Sequence, residues 1–347
     1  VMKGVEFVMA AVEKADDDSL FVTDVRGTRV QSKIGVYVDT FLSSLLLAEV
    51  KGTMPDAKSE KRLTAALEKV VRKIEKNQQA DGTYSGNAGW ASVLSTGLAG
   101  KSINRAAQSG VDVDRTTLAR AEKMAVSSYD QKAGGFKTAG AMGGAAPSDA
   151  GVAIYNVSAQ VSNLSESVNT SNAVEKEMKQ VLEDPKAPKK AKDEAKTRLA
   201  SIEETRKVND QATASTIKRL SEDGFVNGFG SNGGEEFLSY MNISESLVQK
   251  GGKDWEKWDR EISSNVNRVQ NADGSWSGHH CITGRTFVTS TALLVLTADR
   301  LGANQGSIST AALDPKLDET KKDKKDEKKT DVASKDKSWY EKLWNSD

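Results

Sequence analysis

The chain has 347 residues, 37% hydrophobic and 28% charged, with 49 basic residues balanced by 49 acidic ones. That balance removes the global positive field of a nucleic-acid or anionic-membrane binder, and no run approaches the ~18 consecutive apolar residues of a transmembrane helix. One cysteine, Cys281, excludes an internal disulfide framework.

Residues 1–14 read as an amphipathic helix. The chain opens on Val1 rather than Met, the expectation being either a removed export signal or an upstream region left out. Export to a bacterial periplasm or the extracellular space is the favoured reading, with a cytoplasmic place and a sixth repeat upstream of Val1 left open.

Five short turns then punctuate the chain: Asp18-Ser19-Leu20-Phe21, Asp81-Gly82-Thr83-Tyr84, Gly134-Gly135-Phe136-Lys137, Asp223-Gly224-Phe225-Val226 and Asp273-Gly274-Ser275-Trp276. They recur about every 50 to 60 residues, with one gap of about 90, a period that marks helical repeats. Residues 36–50, 90–103, 150–161, 237–248 and 287–301, which follow the turns, are poor in charge and rich in Ala, Ser, Val and Leu. Residues 60–76 and 254–269, which precede turns, carry charge on one face. A helix apolar nearly all round is buried and a one-faced helix lies outside. The pattern predicts an inner and an outer set of helices.

The long gap holds an apolar 3-4 spacing through Val157, Val161, Leu164 and Val168, more weakly through Val174, Met178 and Val181, and again from Ala195 through Leu199 and Ile202. Pro185 and Pro188 interrupt it. Two long antiparallel helices over about residues 155–216 are expected to project as a hairpin arm, each about 40 to 50 Å long.

The repeat domain is expected to span residues 1–302. Residues 303–337 form a linker in which Lys alternates with Asp and Glu, a solvated and disordered composition. Residues 338–347 then bring Trp339, Tyr340, Leu343 and Trp344 together abruptly, the composition of a peptide that docks on a partner or back on its own body.

Gln270-Asn271-Ala272-Asp273-Gly274-Ser275-Trp276 resembles the Q-x-x-D-G-S-W repeat of the squalene and terpenoid cyclases, and Gln78-Gln79-Ala80-Asp81-Gly82-Thr83-Tyr84 is a second copy. The Gly-Gly-Phe and Asp-Gly-Phe turns are similar to those of protein prenyltransferase β subunits. Together they cover most of residues 1–302 and imply an all-α fold, an α/α toroid of helical-hairpin repeats. The residues also account for the turns without the resemblance. Gly permits the tight link, the aromatic wedges between repeats, and Asp bonds exposed backbone groups. The turns are structural, and no catalysis is assigned to Asp81, Asp223 or Asp273. The chain departs from the cyclases in lacking their D-x-D-D acid motif, for which Val111-Asp112-Val113-Asp114-Arg115 offers only half, and its aromatic content is 6%.

Both histidines and the cysteine stand together as His279-His280-Cys281. Such N and S donors suit zinc, and Cys281 beside a histidine also suits nucleophilic chemistry. If every inner helix starts just after a turn, Asp149, Glu235, Glu236 and Arg285 gather with the tripeptide at one end of the molecule. The prenyltransferase resemblance implies a zinc site at this end, although its Asp-x-Cys pair is missing after Asp149. The alternative for the tripeptide is a hydrogen-bonded elbow with a buried Cys. Glu235 and Glu236 are open to two roles, capping carboxylates or metal or substrate contacts.

Two functions follow. One is a non-catalytic binding or assembly module that meets a protein partner, or another copy, through the arm and the terminal peptide. The other is an enzyme or binder of an isoprenoid, lipid or glycan, with a metal or Cys-His centre at the toroid mouth.

Overall fold

The computed structural model describes residues 1–138, 146–230 and 232–300. The charged linker, the terminal peptide with Trp339, Tyr340, Leu343 and Trp344, and the end of the 287–301 segment lie outside the described residues.

The described residues are predominantly helical. In chain order they form α1 (Met2–Lys14), α2 (Arg29–Ile34), α3 (Val38–Val50), α4 (Ala57–Asn77), α5 (Val93–Gln108) and α6 (Arg115–Ser128). A two-stranded hairpin, β1 (Tyr129–Asp130) and β2 (Gly135–Phe136), follows. The chain continues through α7 (Ala153–Glu183), α8 (Lys189–Arg219), α9 (Asp223–Val226), α10 (Gly234–Lys250), α11 (Gly252–Arg268) and α12 (Arg285–Leu296).

Patterning explains the layers. In α4 Leu63, Leu67, Val70, Val71 and Ile74 are buried along one stripe, and the Asp56 carboxylate caps the start by accepting from Ser59 N at 2.8 Å. In α11 Trp258, Ile262 and Val266 repeat that stripe. α5 is buried on all sides from Val93 to Ala106, and α10 from Gly234 to Leu247. Five helices pack in succession, α3 on α5, α5 on α7, α7 on α10 and α10 on α12, while α1, α4, α6, α8 and α11 cover them from outside.

The two end members of the inner row depart from the expectation of burial all round. α12 buries Val288, Thr291, Ala292 and Val295 but leaves Leu293 51% and Leu294 38% exposed. In α3 Leu42, Leu45 and Leu46 are half-buried. Each packs strongly on one inner neighbour rather than two, so apolar composition does not by itself bring burial.

The turns also sort themselves. In the two closest copies Gln79 N bonds Thr83 O at 2.8 Å and Gly82 N bonds Gln79 O at 3.0 Å, while Asn271 N bonds Ser275 O and Gly274 N bonds Asn271 O, both at 2.9 Å. Asp81 Oδ1 accepts from Thr83 N and Oγ1, and Asp273 Oδ1 from Ser275 N and Oγ. Gly82 and Gly274 have φ of 85° and 82°, the left-handed region that glycine enters freely. The first turn differs in register. There Asp16, not Asp18, accepts from Ser19 N and Oγ. Asp223-Gly224-Phe225-Val226 is not a turn of this type but the single-turn helix α9.

The arm is likewise more deeply rooted than a 155–216 insertion. α7 and α8 are 31 residues each, about 46 Å long. The first half of α7, Ile154 to Ser167, is buried as an inner helix. Beyond about Val168 the helix becomes mostly half-buried or exposed and flanks α4 and α6.

Candidate functional site

Backbone hydrogen bonds stitch the starts of the inner helices together. Trp90 N and Ala91 N donate to Ser32 O and Lys33 O at 3.2 and 2.7 Å, and Val93 N donates to Ser148 O at 3.0 Å. Gly234 N donates to Ile282 O at 3.0 Å and His279 N to Asn232 O at 2.9 Å. The Arg29 guanidinium of α2 bonds the carbonyl of Cys281. With the Tyr155–Glu236 hydrogen bond between α7 and α10, these contacts run from α2 past the starts of α5, α7 and α10 and return to α2 through the segment before α12.

Glu236 is central to that circuit. It is fully buried. Its Oε1 accepts from the Tyr155 hydroxyl and, at 2.9 Å, from Phe229 N, and its Oε2 lies 3.6 Å from His280 Nε2. Burial, then the Glu236 charge, pushes the Tyr155 phenol far above its usual range, so it stays a donor. Glu235, also fully buried, accepts from Ile282 N at 3.2 Å. Burial raises its carboxyl despite the hydrogen bonds. Close approach requires glycine here: a Cβ on Gly233 would lie 2.4 Å from His280 Cε1 and 2.5 Å from Glu236 Oε2.

Aromatic rings cover the cluster. Trp90 packs edge-on to Tyr155 at 6.1 Å and to Phe229 at 5.1 Å, and Phe229 to His280 at 5.5 Å. Lys33 Nζ sits 4.9 Å from the Trp90 ring centre.

Of the seven residues the sequence singles out, four come together: Glu235, Glu236, His280 and Cys281. His279 is exposed. Arg285 leaves the cluster for the preceding turn, where it pairs with Asp273 at 2.5 Å. Asp149 lies in the turn before α7, its Oδ1 accepting from Gly151 N at 2.9 Å. Among the described residues no group of three or more His, Cys, Asp and Glu side chains is placed to hold a metal ion. The donors here do not assemble for zinc: Glu236 Oε1 is taken by Tyr155 and Phe229 N, His279 faces outward, and Arg285 and Asp149 lie apart. Burial, then the Glu235 charge, raises the Cys281 thiol, the opposite of an activated nucleophile.

Two features escape the sequence reading. One is a buried charge network on the inner helices. Lys101 of α5 pairs with Glu245 of α10, and Arg105 pairs with Glu166 at 2.7 Å and Glu49 at 2.8 Å. Gln108 and Gln249 complete Glu166 at 3.0 and 3.2 Å. Lys101 within the apolar run of α5 was the available signal. The other is a cleft of about 830 Å³ between the arm and the body. Val174, Met178 and Val181 of α7 and Ala191 of α8 face Leu118 of α6, and Arg72 and Glu75 of α4, across it. The weaker apolar spacing at Val174, Met178 and Val181 was the available signal.

No family model, no curated protein and no solved structure matches this chain. No helix among the described residues is long and apolar enough to cross a membrane.

Proposed function

We propose that the chain is a non-catalytic α/α toroid that serves as a binding or assembly module, holding a protein segment in the cleft beneath the hairpin arm. The carrying observation is that cleft. Its arm side is a helical stripe of half-buried apolar residues that α8 does not cover, and its rim is charged, the makeup of a groove for an amphipathic segment. The circuit of contacts at the inner-helix starts supports the ring and the likeness to prenyltransferase β subunits and terpenoid cyclases, as a likeness of fold.

The isoprenoid or lipid alternative draws less support. Such a ligand needs an apolar chamber, whereas α5 and α10 meet directly through Lys101 and Glu245. The mouth cluster hydrogen-bonds its own members and joins the repeats, which supports an interlocking role for Glu235, Glu236 and His280.

The test is to select peptides that bind the intact chain, then replace residues 172–200 with a short turn that leaves the buried halves of α7 and α8 in place. Selected peptides are expected to be amphipathic and to lose affinity at least ten-fold. Unchanged binding by a variant that still unfolds cooperatively would sink the reading.

A further inference from the structure

The cleft has a definite electrostatic character. Six acidic and three basic side chains line it, and two of the basic ones already have partners. Arg198 pairs with Glu122 at 3.0 Å, and Arg115 with Glu177 at 3.5 Å. On the body side the acids crowd together. Glu75 accepts from Asp114 N at 2.7 Å, and burial followed by the neighbouring Asp114 and Asp112 charges pushes its carboxyl up. Such a site gains from an incoming cation. Its occupant therefore combines an apolar helix face with positive flanks.

One segment of this chain has that composition. Trp339, Tyr340, Leu343 and Trp344 stand at i, i+1, i+4 and i+5, so in a helix all four share a face. Residues 321–337, just before them, hold eight lysines against five acids. Length permits the approach. The 38 residues from Arg300 to Ser338 have a root-mean-square span of about 35 Å as a flexible coil, and fully extended they reach about 125 Å. A compact body of 300 residues is about 50 Å across.

We propose that the arm cleft is the seat of the chain's own C-terminal peptide, with the aromatic face of residues 338–347 on Val174, Met178 and Val181 and the preceding lysines towards Glu75, Asp112 and Asp114. This rests on reading the cleft as a protein-binding groove. It adds that the groove is self-occupied, so an outside segment must displace the tail. A covalent tether of this length provides an effective concentration of order millimolar. A tail binding at about 100 μM would therefore weaken a competitor about ten-fold.

Two measurements on the full chain test it. A photo-crosslinking amino acid at Met178 is expected to label residues 338–347, with mixed heavy and light chains giving links within one chain only. Links to other segments alone, or links between chains, would overturn the assignment. In the second, a labelled peptide of residues 335–347 is expected to bind the Trp339→Ala/Trp344→Ala chain about ten-fold more tightly than the unaltered chain. Equal affinity overturns the proposal. If selected peptides still bind the cleft in that case, the groove stands and only its self-occupancy fails.

Discussion

Lys101 of α5 and Glu245 of α10 pair in the interior between two helices that are not neighbours in the inner row, with side chains 1% and 10% exposed. Removing one partner from a buried pair leaves an uncompensated charge, at a cost of about 3–5 kcal/mol, whereas replacing both with apolar groups is often neutral. Lys101→Met is expected to lower stability by that amount, and Lys101→Met/Glu245→Leu to recover most of it. Denaturant midpoints of the four proteins in the cycle measure this. A loss in the double variant equal to the sum of the two single losses would show that the pair is not coupled.

Glu166 confers acid sensitivity. Burial alone would raise its carboxyl, but Arg105, by charge and hydrogen bond, and then Lys101 and Gln108 hold it below the usual 4.5. A depressed folded value means the stabilisation is present above the unfolded pKa and is lost as pH falls through the folded one. Stability is expected to drop on acidification below about pH 4.5. Glu166→Gln should be less stable at neutral pH and show a flatter acid limb in denaturant titrations.

Cys281 should be a slow thiol. Its carboxylate neighbour and burial favour the protonated form, and the thiolate is the reactive species. Alkylation by iodoacetamide at pH 8 is expected to run at least ten-fold slower than that of a free cysteine peptide, and to speed up on unfolding. Fast labelling of the folded chain would restore the Cys-His nucleophile.

The paired turns provide an internal comparison. Gly82 and Gly274 share positive φ, but a Cβ on Gly82 would lie 2.9 Å from the Arg120 carbonyl, while nothing lies within 4 Å at Gly274. Left-handed backbone alone costs a non-glycine residue about 1–2 kcal/mol. Gly274→Ala is expected to lose about that much and Gly82→Ala clearly more, as read by thermal unfolding.

Much of the helical layering was legible because it depends on local periodicity. The stripes of α4 and α11 are set by 3.6-residue spacing, and the Asp81 and Asp273 turns by an acid two residues before a Ser or Thr and a glycine between them. That turn-then-helix logic also anticipated the meeting of Glu235, Glu236, His280 and Cys281. It failed for Arg285, whose long side chain reaches Asp273 on the preceding turn, and for His279, one residue from His280 but outside the cluster. Adjacent residues diverge in direction wherever the backbone turns, and Cys281 itself sits at φ 50°.

The order of inner and outer helices, the turn chemistry and the two prolines that divide the arm are properties of nearby residues, so they belong to the linear chain. Which charges neutralise one another does not. Lys101 and Glu245 are 144 positions apart, and Tyr155 and Glu236 are 81 apart. The apolar arm stripe also divides in space, part packing between α7 and α8 and part lining a cleft. Pairing and exposure of this kind depend on distances through space between segments far apart in the chain. Only packing of the whole repeat array sets those distances.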